Sequence, residues 1–207
     1  MFGTQNLSLF IVSAILLNLT PGQDTIYIVG RSVAQGRAAG LLSAAGIIGG
    51  CIIHTLAAAF GLSAILAASA SAFTIVKWLG ALYLIYLGIR MLLQLREATN
   101  ATPFDRGNHW TIFRAGLLTN VLNPKVALFY LAFLPQFVDP AAFSKIGAFL
   151  FLGAIFITTG TCWCLVLVFA ASAISSQLRS SETAAIIINR AAGALFVGLG
   201  LKLAATR

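Results

Sequence analysis

Charge is what this sequence has least of. Only 9% of its 207 residues are charged, and just five of those are acids, whereas an ordinary soluble domain carries about 25% charged residues. So few charges cannot cover the surface of a water-soluble protein of this length. Cysteine is scarce as well. Cys51, Cys162 and Cys164 form no CxxC pair and all lie in apolar segments, so neither a disulfide framework nor a zinc site is indicated. A basic leader is also missing: Met1 to Asn6 holds no lysine or arginine, and the apolar run behind it reads as a retained span rather than a secretory signal.

What is present in quantity is apolar. Hydrophobic residues make up 59% of the chain, its mean hydropathy is +0.96, and apolar runs recur along its whole length. These features predict an all-α integral membrane protein with no separate soluble domain. A net charge of +8 would suggest nucleic acid in a soluble protein. Here the basic residues fall between and at the ends of apolar runs, where they report topology instead. No nucleic-acid partner and no cofactor are expected.

The runs predict six transmembrane helices, at about 7–29, 40–66, 77–90, 113–137, 146–173 and 184–204. Arg31 and Arg37 mark the first connection, Ser69 and Ser71 a short turn, and Val138-Asp139-Pro140 another. A polar linker at about 96–112 divides a single membrane domain, 1–207, into half-repeats of about 1–95 and 113–207. Lys77-Trp78-Leu79-Gly80-Ala81-Leu82-Tyr83, then Gly88 and Arg90, is echoed with a one-residue gap by Arg190-Ala191-Ala192-Gly193-Ala194-Leu195-Phe196, then Gly200 and Lys202. Because three is odd, two such halves must face opposite ways across the membrane. Trp78 reads as an interfacial anchor. Gly46, Gly49 and Gly50 form a small-xxx-small face for close helix approach, within one chain or in a homo-oligomer.

Bases set the orientation. With the N-terminus outside, the cytoplasmic side receives Arg31, Arg37, Arg90, Arg96, Arg106, Arg114, Arg179 and Arg190, against Lys77, Lys145, Lys202 and Arg207 on the other. That bias predicts both termini outside.

Two stretches break the apolar pattern at matching places. Asn18-Leu19-Thr20-Pro21-Gly22-Gln23-Asp24 interrupts the first span, and Thr119-Asn120-Val121-Leu122-Asn123-Pro124-Lys125 interrupts the fourth. Each proline removes a backbone donor inside the membrane. A lysine at mid-span costs roughly 2.5–3.5 kcal/mol on insertion scales, so Lys125 calls for a partner, a cavity or a task. Broken helices at matching positions of an inverted repeat are how secondary transporters build a midplane site. Asp24 is the one acid expected in or at the end of a span, and it is the leading proton-carrier candidate. Burial favours a neutral carboxyl and a nearby cation a charged one, so moving Lys125 or water relative to Asp24 would load and unload a proton. The plainer readings are an interfacial Asp24 beside Arg31 and a Lys125 that snorkels or pairs statically. Asn18, Asn120 and Asn123 either satisfy backbone groups freed at the breaks or bind the substrate backbone. His54 is a secondary candidate for a proton relay, with a hydrogen-bonded structural histidine as the alternative. Trp163, Tyr83, Tyr86 and Tyr130 either shape a pocket or simply pack.

These stretches resemble the LysE/RhtB family of bacterial inner-membrane amino-acid exporters. The likeness rests on Leu19-Thr20-Pro21-Gly22-Gln23-Asp24, Arg31-Ser32, Gly36 to Gly40, and Leu122-Asn123-Pro124-Lys125-Val126-Ala127-Leu128-Phe129 through Phe133-Leu134-Pro135-Gln136-Phe137. It extends over almost the whole chain, with one departure: the family commonly has proline where Gln23 stands. The resemblance implies proton-driven export of small amino acids or derivatives of the threonine, homoserine, leucine or lysine type from cytoplasm to periplasm. A zwitterion needs two counter-groups. Asp24 and carbonyls near Pro21 suit its ammonium, Lys125 and broken-helix amides its carboxylate.

Competing classes fit less well. An intramembrane protease needs a nucleophile motif beside His54 or a second membrane aspartate. A metal-ion exporter of related architecture needs clustered carboxylates, thiolates or imidazoles. A non-transporting scaffold explains the glycines but leaves Asp24 and Lys125 without a purpose.

Overall fold

The computed structural model describes residues 3–64, 108–139 and 141–173, with isolated helical positions between 74 and 93 and between 190 and 205. The expected third and sixth spans, most of the linker and the repeated segment therefore lie outside the described residues or meet them only at single positions. One of those is Trp78, which is about half exposed.

Five α-helices make up most of the described chain. They are α1 (Leu7–Leu19), α2 (Gln23–Leu56), α3 (His109–Val121), α4 (Pro124–Leu128) and α5 (Lys145–Ala173). A π-helical turn, Ala57–Leu62, continues α2. Another, Phe129–Phe133, followed by a 3-10 turn, Leu134–Phe137, continues α4. Gln23–Leu62 and Lys145–Ala171 are long and apolar enough to cross a membrane. The pair His109–Val121 and Pro124–Phe137 forms a third such unit, bent by 47°.

The longest of these segments is not one rod. Gly36 has φ 82° and ψ −178°, a region open essentially to glycine alone. Contacts on either side show what the bend does. A Cβ built on Gly40 would collide with Ser32, and Tyr27 and Ile28 share a buried cluster with Ala44 and Ile47. Residues eight apart in a straight helix stand about 12 Å apart, so the chain reverses at Gly36. The arms 23–35 and 37–56 run antiparallel. This sharpens the expected first connection. Arg31 is helical, buried and set beside the Tyr27 ring, and a single glycine makes the turn.

The remaining directions follow from cross-contacts. Gly3 meets Ala148, Asn18 meets Gly160, and Gly40 at the hairpin meets Val168, so α1 and the first arm of α2 run alongside α5 in the same direction. The second arm runs parallel to α3. Gly46 abuts Phe113 and Gly116, while Gly50 abuts Asn120. Gly46 and Gly50, four apart, carry the close approach; Gly49 meets only the ends of the Leu117 and Phe113 side chains, at 3.4 and 3.7 Å. The first arm opposes α3, with Tyr27 Oη donating to the Ile112 carbonyl at 2.8 Å.

Away from the hairpin, Phe10, Phe129, Phe133, Phe137 and Phe156 fill the core between α1, the α4 extension and α5. Ring centroids there lie 4.5 Å apart for Phe129–Phe156 and 5.2 Å for the edge-on Phe10–Phe137 pair. The N-terminal segment is tied down beside them. Thr4 bridges Val138, Gln5 N–H donates to the Phe137 carbonyl, and Asp139 N–H donates to that of Gly3.

Candidate functional site

The two breaks face each other. α1 stops because Thr20 precedes proline, which drives it out of the helical region to ψ 120°. Its side-chain hydroxyl turns back onto the Leu16 carbonyl at 2.7 Å, and its own carbonyl is left at the helix end. Lys125 Nζ donates to that carbonyl at 2.9 Å, so the cation sits at the negative end of the α1 dipole. Gly22 lies alongside it: a Cβ there would stand 3.5 Å from Nζ, an ordinary contact distance.

Asp24 occupies the first turn of the next helix, where the N-terminal dipole favours a negative charge. Both of its carboxylate oxygens are engaged from the opposite break. Asn120 Nδ2 donates to Oδ2 at 2.8 Å and Asn123 Nδ2 to Oδ1 at 3.2 Å. Asn123 also caps α4, its Oδ1 accepting from Lys125 N–H at 3.0 Å. One asparagine thus starts the second half-helix and braces the acid of the first. Asn120 is fully buried and Asn123 nearly so. Hydrogen bonds to a charged group are worth about 1.5–3 kcal/mol each, enough to hold two interrupted helices in register.

A cavity of about 60 Å³ opens beside these groups, room for a few waters at roughly 10–15 Å³ each. Asn18, Gly22, Asp24, Asn120, Asn123 and Lys125 line it; Pro21, Gln23, Pro124 and His54 do not. The prolines shape the breaks from outside, and Pro21 and Pro124 are exposed. Gln23, where the family commonly has proline, simply begins the helix. Asn18 Nδ2 donates to Thr159 Oγ1 at 3.0 Å, joining α1 to α5. His54 lies behind the site. Its Nε2 is 3.3 Å from the Asn120 carbonyl, and its ring stacks on Tyr130 at 5.5 Å. Tyr130 in turn meets Thr55 Oγ1 at 2.9 Å.

The sequence reading passed over several wall residues. Thr20 was signalled by its place before a proline. Phe156, Gly160, Cys164 and Leu167 join Trp163, which the sequence offers as a pocket or packing residue, at the three-and-four spacing of one α5 face, but nothing in an apolar helix says which face meets a cavity. Cys51 and Cys164 are buried in the wall, whereas Cys162 is exposed.

Comparison with known proteins finds relatives along nearly the whole chain. A leucine efflux protein of Enterobacter sp. (strain 638) is 31% identical over 207 residues, covering 98% of this chain and 97% of its own length. One of Salmonella typhimurium is 32% identical over 210 residues, at 98% and 96% coverage. An uncharacterized membrane protein of Pseudomonas aeruginosa is 33% identical over 201 residues, at 94% and 93%. No solved structure matches significantly. The LysE type translocator model matches residues 15–207, a stretch that holds both breaks and every cavity residue, and the chain belongs to the LysE type translocator family.

Proposed function

We propose that this protein exports amino acids, with neutral aliphatic ones of the leucine type first among them, through the cavity between its two broken helices. The observation that carries the reading is the antiparallel meeting of the breaks, with Asp24 and Lys125 bordering one cavity. A zwitterion finds an acid and a carbonyl for its ammonium, and a cation for its carboxylate. Leu17, Ile28, Ile47 and Leu167 offer an apolar wall for an aliphatic side chain. The names of the leucine efflux relatives support the same substrate class.

Asp24 carries the coupled proton in this scheme. Asn120 and Asn123 hold its carboxylate in the described arrangement. Displacing them, or replacing them by substrate, changes the balance between charged and neutral forms. The architecture that fits is one membrane domain of six spans in two inverted halves, in a bacterial inner membrane with both termini periplasmic. α1 with the first arm of α2, and α3 with α4, are the broken members.

Purified protein in proteoliposomes, given labelled amino acids and an imposed pH gradient, tests the proposal. Leucine movement that follows the gradient is expected. Asp24→Asn should abolish the gradient's effect while the folded protein survives purification; coupling that persists in this variant removes Asp24 from the scheme. Movement of a divalent cation with no amino acid would favour the metal-exporter reading instead.

A further inference from the structure

In an unbroken helix the Asn120 carbonyl would accept the backbone N–H four residues on. That residue is Pro124, which has none. The carbonyl instead takes the Asn123 N–H at 3.0 Å, a tighter turn that leaves its second lone pair open. His54 fills that place from the second arm of α2, with Nε2 at 3.3 Å. Because a carbonyl only accepts, Nε2 must carry the proton. Stacking on Tyr130, with centroids 5.5 Å and planes 21° apart, fixes the ring from its other side. His54 also completes a stripe, since Gly46, Gly50 and His54 stand four apart on one face of the arm. Gly46 abuts the α3 backbone, Gly50 the Asn120 side chain, and His54 reaches the Asn120 carbonyl. That same asparagine sends its side-chain amide to Asp24 Oδ2 at 2.8 Å.

We infer that His54 is a positioning residue for the proton carrier: by donating to the Asn120 carbonyl it fixes the amide that holds Asp24. The inference rests on the exporter reading and deepens it. A proton relay does not run along this path, because a peptide carbonyl has no proton to hand on. What the contact does is set where the Asn120 amide stands. Hydrogen bonds to the charged form of a carboxyl help decide its charge, so an amide free to swing away changes the pH at which Asp24 loads. The other charged or titratable groups at the site, among the described residues, are Lys125 on α4, Tyr130 on its extension, Cys51 on the arm that carries His54, and Cys164 on α5.

His54→Gln ends in an amide nitrogen as many bonds from the backbone as Nε2, so it keeps the donor and loses the ring. His54→Phe keeps the ring and loses the donor. Both lack the titration of the imidazole itself, so a difference between them reports the hydrogen bond. Leucine transport in proteoliposomes is measured as a function of pH for the wild type and both variants. His54→Gln should keep the wild-type profile, and His54→Phe should move it by about one pH unit. His54→Asn, whose amide stops one bond short, should behave as His54→Phe does and takes its place if that variant does not survive purification. Coinciding profiles for the donor-keeping and donor-lacking variants overturn the inference. A second readout stands apart from transport. The chain has two histidines, and His109 is exposed. With His109→Gln and nitrogen-15-labelled histidine, NMR reads His54 alone: its neutral ring should carry the proton on Nε2, and a proton on Nδ1 overturns the tether. If wild-type liposomes move no amino acid while Nε2 holds the proton, the exporter reading fails and the coupling role of His54 falls with it.

Discussion

Gly50 shows how one missing side chain supports the site. A Cβ at this position would stand between 2.5 and 2.9 Å from three atoms of Asn120, the residue that holds one oxygen of Asp24. Gly50→Ala must push Asn120 aside or separate the two helices, and overpacking of this kind costs about 1–3 kcal/mol. Gly49→Ala, next to it, meets only the Leu117 side-chain end at 3.4 Å and the Phe113 ring at 3.7 Å, and should be tolerated. Thermal melting in detergent, paired with leucine transport, separates the two: a clear drop in Tm and transport for Gly50→Ala, little change for Gly49→Ala. The sequence marked both glycines as packing residues, because small residues four apart are a known signal. It gave no means of ranking them, since rank depends on the rotation of one helix against its neighbour. The same limit left Trp163 open between shaping a pocket and packing. Asp24, Lys125 and the asparagines were legible one by one, because polar groups inside apolar runs are costly and stand out.

At the scale of elements, the chain interrupts its helices in two physically different ways. Thr20-Pro21-Gly22 and Leu122-Asn123 let a helix stop and restart in roughly its original course, with 47° of bend at the second. Gly36 reverses the chain outright. Prolines are visible in a sequence, so the paired breaks were legible; the turn was placed in the right neighbourhood by Arg31 and Arg37, but its extent was not. A helix that continues to Gln35 and resumes at Arg37 leaves almost no polar signal, and the deciding quantity is a backbone angle. The position makes its own prediction. Nothing lies within 4 Å of a Cβ on Gly36, so Gly36→Ala suffers only backbone strain, about 1–3 kcal/mol. Gly61 also has open space around it but no positive φ, and Gly61→Ala should be neutral or slightly stabilising. A Tm lowered in the first variant and held or raised in the second would locate the cost in the backbone; equal effects would mean that the turn tolerates alanine.

For the molecule as a whole, the cross-contacts sort the described residues to two ends. The Gly36 hairpin, the start of α3 and the end of α5 gather at one, which brings Arg31, Arg37 and Arg114 together. The N-terminal segment, the Thr4–Val138 bridge and the start of α5 with Lys145 gather at the other. This grouping comes from packing, independently of any count of charges, and it divides these bases as the sequence-based orientation does. Cytoplasmic ends of membrane proteins are enriched in lysine and arginine, so the hairpin end should face the cytoplasm. Two exposed positions report the two ends: Ala38 beside the hairpin, and Phe143 in the connection before α5. In a protein whose native cysteines are replaced, a membrane-impermeant maleimide added to intact spheroplasts should label Phe143→Cys at once. Ala38→Cys should react only after the membrane is opened. The opposite pattern would invert the transporter and place the arginine end outside. It would leave the meeting of the two breaks unchanged, because that geometry depends on helix packing and not on which side of the membrane each end faces.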